Sequence, residues 1–219
     1  MTRAPAIHPQ RRRPRQSRAR ATADAIRQAF VQLLVDKGYE KVSIREVIGL
    51  AGVGIGSFYE YFSSKTELAA VCVHLRIKDI TATMRERIDA DRCEPLPVRV
   101  QALIDAQAAA PLAEPEQWRA LFLVERQVSS IDAYRRLYGE CVRLWAEALT
   151  AGPDWPADVP AAQAAFAAHS MTYSLVSQTL MNSTGTPDSQ AIRKLLGTAV
   201  HGYLSVLAPH AYRLYRFEA

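Results

Sequence analysis

The 219-residue sequence has few of the residues that mark metal, redox or disulfide chemistry. Its three cysteines are Cys72, Cys93 and Cys141, and neither a CxxC nor an HExxH motif occurs. Such wide spacing argues against a zinc site or a disulfide framework. We therefore expect no metal, and we expect buried thiols in a reducing cytoplasm.

Other catalytic and membrane patterns are missing as well. Gly52, Gly54 and Gly56 precede no lysine-serine pair, so they do not form a phosphate-binding loop. The GSFY segment at 56–59 lacks the second glycine and the preceding strand of a nucleophile elbow. No apolar run is long enough to span a membrane. The sequence thus predicts a cytoplasmic protein that is not an enzyme and needs no cofactor.

Positive charge is concentrated at the N-terminus. Residues 1–20 hold seven arginines and no acid, so removing those seven from the net charge of +5 leaves −2 for the rest. We predict that 1–20 is a disordered basic arm. The run RRRPRQSRAR suits an arm that follows phosphates or enters a minor groove. It suits equally a solvated tail or a misassigned start codon, and the sequence leaves these readings open.

The remaining sequence predicts an all-α protein, since no alternating strand pattern of useful length appears. Hydrophobic content is 49%, enough for a sizeable core. We expect a helix-turn-helix domain over 21–66 and a larger helical domain over 67–219. Helices are expected from about 17 or 22 to 37, and over 43–50, 54–62, 66–91, 97–110, 115–130, 132–150, 160–183 and 189–207.

Residues 43–68 carry the most informative local pattern. Ser43 precedes an amphipathic run and Glu46 follows it by three residues, which predicts a capping box at the start of a short helix. Gly52 can adopt the positive φ of a tight bend between two helices. A second short helix over 54–62 has apolar residues at spacings of three and four. Hydroxyl residues and an acid then predict the start of a third helix.

These spacings together resemble the DNA-binding domain of the tetracycline-repressor (TetR) family of one-component transcription regulators. The resemblance covers roughly residues 20–70 and rests on Gly38, Tyr39, Ser43, Ile48, Ala51, Gly52, Val53, Gly56, Ser57, Phe58, Tyr59, Tyr61, Phe62, Ser64, Lys65 and Leu68. Gly49 departs from the usual alanine, and Gly54 from a small polar residue. We expect about 1 kcal/mol of local loosening for each mid-helix glycine, and no side-chain cap from Gly54.

The resemblance implies that the second short helix reads DNA in the major groove. Ile55 and Ser57 would meet base edges, and Gly56 would allow close approach of the backbone. Other side chains would contact phosphates and make binding depend on salt. The candidate DNA-binding residues are Ser43, Arg45, Gly54, Ile55, Gly56, Ser57, Tyr59, Tyr61 and Lys65.

The resemblance also implies a small-molecule cavity and a dimer interface in the C-terminal domain. The last two long helices would pair with their copies in a second subunit. The regular apolar stripe from Ile192 to Leu207 favours that interface, and the alternative is that it only seals the chain's own core. Candidate ligand-binding residues are aromatic or polar: Trp118, Phe122, Glu125, Arg126, Tyr134, Tyr138, Trp145, His169, Tyr173, Gln178, Met181 and Asn182.

The sequence therefore predicts a ligand-responsive transcriptional regulator, most simply a repressor. It would bind a palindromic operator as a homodimer, with half-site centres about 34–36 Å apart. A small-molecule effector that prefers the operator-incompetent state would release the DNA. The alternatives are a helix-turn-helix architectural DNA binder without an effector, or a helical interaction module.

Overall fold

The computed structural model describes residues 14–213, which form helices and connecting loops with no strand in that range. The chain divides into two compact units, Met1–Leu68 and Ala69–Ala219. The predicted all-α fold, with a small helix-turn-helix unit ahead of a larger bundle, is confirmed. None of the described helices is long and apolar enough to cross a membrane.

The N-terminal unit contains a long helix and two short ones. These are α1 (Pro14–Lys37), α2 (Ile44–Ala51) and α3 (Ile55–Tyr61), with a one-turn 3-10 helix at Tyr39–Lys41 that the sequence did not reveal. The helix α4 (Lys65–Ala90) begins here and continues past Leu68. Ile26, Phe30 and Leu34 of α1 form the buried apolar stripe expected for a bracing helix.

The start of α1 differs from the expected one. The helix begins at Pro14, ahead of both expected starts at about 17 and 22, so residues 14–20 of the predicted arm are helical. Proline is favourable in a first helical turn because its fixed φ suits the helix and its missing N–H would have no helical partner there. The rest of the predicted arm, 1–13, lies outside the described residues.

The second unit is a helical bundle. After the C-terminal part of α4 come α5 (Leu96–Ala113), α6 (Pro115–Val128), α7 (Ile131–Thr150), α8 (Ala161–Asn182) and α9 (Ser189–Leu207), then a short α10 (Pro209–Tyr212) that the sequence did not reveal. Its core includes the fully buried side chains of Leu103, Trp145 and Leu180, and α8 packs against α6, α7 and α9. This packing places the middle of α8 inside the bundle.

Helix α5 continues beyond its predicted end. The sequence predicts an end at residue 110, ahead of Pro111, but the helix includes Pro111 and ends at Ala113. Proline at this position removes only one backbone donor near the end of the helix. The N–H of Glu114 still donates to the carbonyl of Ala110 at 3.1 Å, which closes the last turn.

Arg99 connects three parts of the second unit. Its side chain is only 4% exposed and donates to the carbonyl oxygens of Glu94, Ala148 and Leu149 and to the Asp154 carboxylate. Asp154 in turn accepts from the backbone N–H of Leu96. We call this group the Arg99 cluster. It joins the start of α5 to the end of α7 and the following loop.

The apolar stripe of α9 divides into two faces. Ile192, Leu196, Val200 and Leu204 recur every four residues and are buried in the chain's own core. Leu195, from the same predicted stripe, is 45% exposed. The pattern therefore seals the core, and it also leaves apolar side chains on the surface.

Candidate nucleic-acid interface and internal cavity

The start of α2 has the predicted capping box. The backbone N–H of Glu46 donates to Ser43 Oγ at 3.4 Å, and the backbone N–H of Ser43 donates to Glu46 Oε2 at 3.1 Å. Lys37, the last residue of α1, also pairs with Glu46. The Lys37 and Ser43 contacts lower the pKa of Glu46 to about 2. The same carboxylate therefore caps α2 and links it to α1.

The turn between α2 and α3 depends on a glycine. Gly52 has φ 67° and ψ 32°, the left-handed conformation that favours glycine, and its N–H closes the end of α2. Val53 follows by donating its N–H to the carbonyl of Ile48 at 3.1 Å. The sequence prediction of a tight bend at Gly52 is confirmed.

Helix α3 presents different residues to the two sides. Phe58 is fully buried and Phe62, at the end of the helix, is 4% exposed, so these rings fix α3 to the unit. Ile55 and Tyr59 are 51% and 57% exposed. A Cβ added to Gly56 would meet nothing within 4 Å, so the chain's own packing does not require glycine there. The outer face of α3 is therefore open to a partner.

Gly54 is the N-cap of α3 and lies just before its first helical residue. It makes no side-chain cap bond, as its lack of a side chain requires. Because glycine at an N-cap costs only a few tenths of a kcal/mol relative to the better capping residues, the mid-helix penalty expected for Gly54 does not apply. That penalty applies to Gly49, which lies within α2.

Lys65 is held at the start of α4. Its ammonium lies 4.4 Å from the centroid of the Tyr39 ring and donates to the Tyr39 carbonyl at 2.9 Å. The Tyr39 hydroxyl lies 3.2 Å from the hydroxyl of Thr66. Lys65 is thus positioned by the 3-10 turn that follows α1.

The nine candidate DNA-binding residues all lie between the start of α2 and the start of α4. Ser43, Arg45, Gly54, Ile55, Gly56 and Tyr59 are exposed, whereas Ser57, Tyr61 and Lys65 are half-buried. The Ser43 hydroxyl is hydrogen-bonded to the Glu46 carboxylate at 2.6 Å. The arrangement combines an exposed helix face with neighbouring hydroxyl and cationic groups.

The second unit contains a cavity of about 60 Å³, lined by residues of α4, α5, α6, α7 and α8. It brings together seven of the residues singled out from the sequence: Trp118, Phe122, Glu125, Tyr134, Tyr138, His169 and Tyr173. Most of these are aromatic. The lining is consequently apolar with a few polar groups, which is the usual character of a small-molecule site.

Five other residues singled out from the sequence do not line this cavity. Trp145 is fully buried in the core. The cavity lining also excludes Arg126, Gln178, Met181 and Asn182. The lining residues of α8 are His169, Tyr173 and Val176, which recur at helical spacing. Gln178 lies on a different face of that helix. Composition of the helix alone could not distinguish these faces.

Residues of α4 and α5 that were not predicted from the sequence also line the cavity. Val73, Arg76, Ile77 and Ile80 of α4 line the cavity, as do Gln107 and Pro111 of α5. A glutamine within the alanine-rich apolar segment of α5 was a signal that could have identified Gln107. The apolar residues of α4 had no such mark, since they look like ordinary core residues.

Glu125 and Tyr173 form a buried polar pair in the cavity wall. The Tyr173 hydroxyl donates to Glu125 Oε2 at 2.7 Å. Burial raises the pKa of the Glu125 carboxyl, and burial together with this carboxylate raises the pKa of Tyr173. Cys141 also lines the cavity, where burial raises the pKa of its thiol to about 12.

A hydrogen-bond chain fixes the tautomer of His169. An indole N–H can only donate, and Trp145 Nε1 donates to Gln107 Oε1 at 2.9 Å. His169 Nδ1 lies 3.3 Å from the same oxygen and must therefore carry the proton. Nε2 of His169 is left as an acceptor, and it has no hydrogen-bond partner among residues 14–213.

We predict an acid-dependent loss of stability from His169. Burial lowers its pKa from 6.5 to about 4. Within that pH window the unfolded chain binds more protons than the folded one, so the free energy of unfolding decreases as the pH falls. In a His169→Asn variant, whose amide can still donate to Gln107, we expect a smaller decrease. Urea unfolding at neutral and at mildly acidic pH measures the difference.

His201 provides a matched comparison, because burial lowers its pKa to about 4 as well. A His201→Asn variant should also lose part of the pH dependence. If the wild type and His169→Asn lost stability equally between neutral and acidic pH, the protonation argument for His169 would be wrong.

Comparison with known proteins identifies the helix-turn-helix segment. Residues 26–72 match the family described as bacterial regulatory proteins, tetR family. An uncharacterized HTH-type transcriptional regulator of Haemophilus influenzae is 39% identical over 74 residues, which are 32% of this chain and 35% of that protein. The Transposon Tn10 TetC protein of Escherichia coli is 39% identical over 57 residues, 26% of this chain and 29% of that protein. These matches span about a third or less of the relatives' length.

Solved structures share the fold over most of the chain. The fatty acid degradation regulator FadR from Bacillus halodurans superposes with a TM-score of 0.70 at 16% identity, covering 82% of this chain and 94% of that one. The TetR family transcriptional regulator PfmR from Thermus thermophilus gives 0.62 at 17% identity, covering 80% and 97%. Residues 26–72 therefore match the helix-turn-helix segment of the tetR family of bacterial regulatory proteins, and the chain as a whole shares its fold with the TetR family regulator PfmR.

Proposed function

We propose that this chain is a ligand-responsive transcriptional regulator that binds a palindromic operator as a homodimer and releases it when a small molecule binds. The observation that carries the proposal is the outer face of α3, where Ile55 and Tyr59 are exposed while Phe58 holds the helix in place. Exposed apolar and aromatic side chains on a firmly packed short helix suit contact with a nucleic acid.

The residues of this face have distinct expected roles. Ile55 and Ser57 meet base edges, and Ile55 favours a thymine methyl group. Gly56 permits close approach of the backbone, which agrees with the open space around it. The phosphate contacts come from Ser43, Arg45, Tyr59, Tyr61 and Lys65, with Gly54 at the start of the reading helix.

Exposed apolar side chains on α8 and α9 support the homodimer. Phe166, Leu195 and Val206 are 56%, 45% and 78% exposed. Large apolar groups that remain on the surface of two neighbouring helices favour burial against another molecule. A second copy of the chain meets the requirement of a palindromic operator for two reading helices.

The cavity of the second unit supports the ligand response. It combines aromatic walls with polar groups that have no hydrogen-bond partner among residues 14–213, such as His169 Nε2. A ligand that binds the operator-incompetent state more tightly shifts the population away from the DNA-bound state by the ratio of its two affinities. Repression relieved by the effector is the outcome we expect.

Fluorescence polarisation with the DNA upstream of the protein's own gene tests the proposal. Binding is titrated against salt and unrelated competitor DNA, and the stoichiometry is measured by light scattering. Competitor-resistant binding with two chains per palindrome supports a regulator. Binding that disappears equally with any competitor indicates a non-specific basic protein and overturns the proposal.

We predict that Tyr59→Phe weakens binding to all DNA sequences alike. The change removes only the phenolic hydroxyl, and a lost phosphate hydrogen bond costs about 1 kcal/mol, or about fivefold in affinity. The measurement compares the operator with single-base variants of it. Tyr138→Phe, which loses a hydroxyl bonded to Ser170 in the second unit, is the control. Loss of affinity for one base only would contradict the phosphate assignment.

A further inference from the structure

We propose that the cavity binds an organic monocation, a protonated amine attached to an aromatic or otherwise apolar body. The inference rests on the proposed function, since it names the chemistry of the regulator's effector. Three features of the lining carry it: a buried acid without a cation in contact, a wall of aromatic rings, and a buried histidine nitrogen that can only accept a hydrogen bond.

The acid is Glu125. Glu125 is only 5% exposed. Its carboxylate accepts a hydrogen bond from the neutral hydroxyl of Tyr173. Among residues 17–213, no lysine, arginine or histidine nitrogen lies within 4.0 Å of its carboxylate. Burial raises the pKa of Glu125, and the exposed Arg126, which follows it in sequence, offsets part of this effect from beyond that distance. A buried carboxylate favours a nearby positive charge. A cationic ligand would supply that charge.

The arginine in the lining does not favour an anion. Arg76 donates to the Glu114 carboxylate at 2.8 Å and to Gln117 Oε1 at 2.7 Å, so its charge is already matched. Glu125 has no such ion pair, since the arginine that acts on it, Arg126, is exposed and more than 4.0 Å away. An anionic ligand would have to displace Glu114 and also approach Glu125.

The rings provide a second source of attraction for a cation. Trp118, Phe122, Tyr134, Tyr138 and Tyr173 all line the cavity. Phe122 and Tyr173 meet edge to face with centroids 5.7 Å apart, and Tyr138 and Tyr173 do so at 6.2 Å. Faces of aromatic rings attract cations, most strongly where water is excluded. The same rings also accept the apolar body of the ligand.

His169 and Trp118 define the hydrogen bonds of the ligand. His169 is 3% exposed, and its Nε2 is an acceptor without a partner among the described residues. An ammonium N–H satisfies it, whereas a quaternary or purely apolar ligand leaves it unpaired. Trp118 Nε1, also buried and without a partner there, donates. It suits an ether, carbonyl or hydroxyl oxygen elsewhere on the same ligand.

Calorimetric titration without DNA tests this chemistry directly. The probes are 2-naphthylmethylammonium, 2-naphthylmethanol and 2-naphthoate, which share one ring system and differ in charge. We expect the cation to bind the full-length protein at least about tenfold more tightly than the alcohol, and the anion to bind most weakly. Equal affinities, tighter binding of the alcohol or the anion, or no binding of the cation below about 1 mM overturns the inference.

Variants assign the preference to the acid. Glu125→Gln should reduce the ratio of cation to alcohol affinity to about one, while Glu116→Gln, an exposed acid on the same helix, should leave it unchanged. A ratio that survives in Glu125→Gln overturns the role of Glu125. If that variant does not fold, the ranking of the three probes by the wild type decides the question.

The two proposals can fail independently. The titration contains no DNA, so a chain that does not recognise an operator can still show the cation preference. Conversely, operator binding without a cation preference removes only the assignment of the ligand.

Discussion

Replacing Arg99 with alanine is expected to lower the free energy of unfolding by about 3–5 kcal/mol. The substitution removes all the hydrogen bonds that Arg99 donates and leaves only the Leu96–Asp154 bond of the Arg99 cluster. It leaves the carbonyls of Ala148 and Leu149 buried without their donor, and the Asp154 carboxylate without its cation. Urea unfolding followed by circular dichroism measures the loss.

Two further variants test whether the loss of stability comes from breaking the buried Arg99–Asp154 pair or from removing any arginine. Arg85→Ala breaks an exposed pair with Glu147 and should change the stability by less than about 1 kcal/mol. A double variant, Arg99→Met with Asp154→Leu, removes both charges and should be more stable than Arg99→Ala, because no carboxylate is left unpaired. If Arg99→Ala lost no more stability than Arg85→Ala, the Arg99 cluster would not hold α5 to the end of α7 as we infer.

Replacing Phe58 with alanine should unfold α3 and abolish operator binding. The ring is fully buried, and such a truncation costs about 3–5 kcal/mol. A domain of this size rarely has more than about 3–5 kcal/mol of stability in total. A seven-residue helix also cannot persist in water without tertiary packing. We therefore expect the amides of the N-terminal unit to lose their protection from hydrogen exchange. We also expect the protein no longer to raise the fluorescence polarisation of labelled operator DNA.

The neighbouring tyrosine provides the control for this prediction. Tyr59→Phe changes an exposed residue of the same helix and should leave hydrogen exchange as in the wild type. The helices of the second unit should also remain protected in Phe58→Ala, because their core does not include this ring. Retained operator binding by Phe58→Ala would mean that α3 is not the reading helix.

Local sequence patterns predicted much of the fold because short-range chemistry determines where helices start and stop. Ser43 and Glu46 form the capping box that their spacing indicated, and Gly52 adopts the positive φ that its place between two helices required. Where local rules compete, the predictions were less accurate. Pro111 remains inside α5 because a proline near a helix end removes only one backbone bond.

The cavity was only partly predictable, because its lining depends on which faces of five helices converge. His169 and Tyr173 were candidates because they are polar or aromatic, but nothing local indicated that Arg76 would line the same cavity. Trp145 looked like a ligand-contacting ring and instead donates to Gln107 within the core. The tautomer of His169 follows from the hydrogen bond between Trp145 and Gln107, and the pattern of a single helix does not reveal this bond.

The buried thiol of Cys141 lines the cavity and bears on the chemistry of the effector that we propose. At neutral pH it is present almost entirely as the unreactive protonated form, because its pKa is about 12. An electrophile that entered the cavity would therefore meet no thiolate to attack it. For the effector that we propose, we therefore expect non-covalent binding, so that the relief of regulation ends when the compound is diluted away.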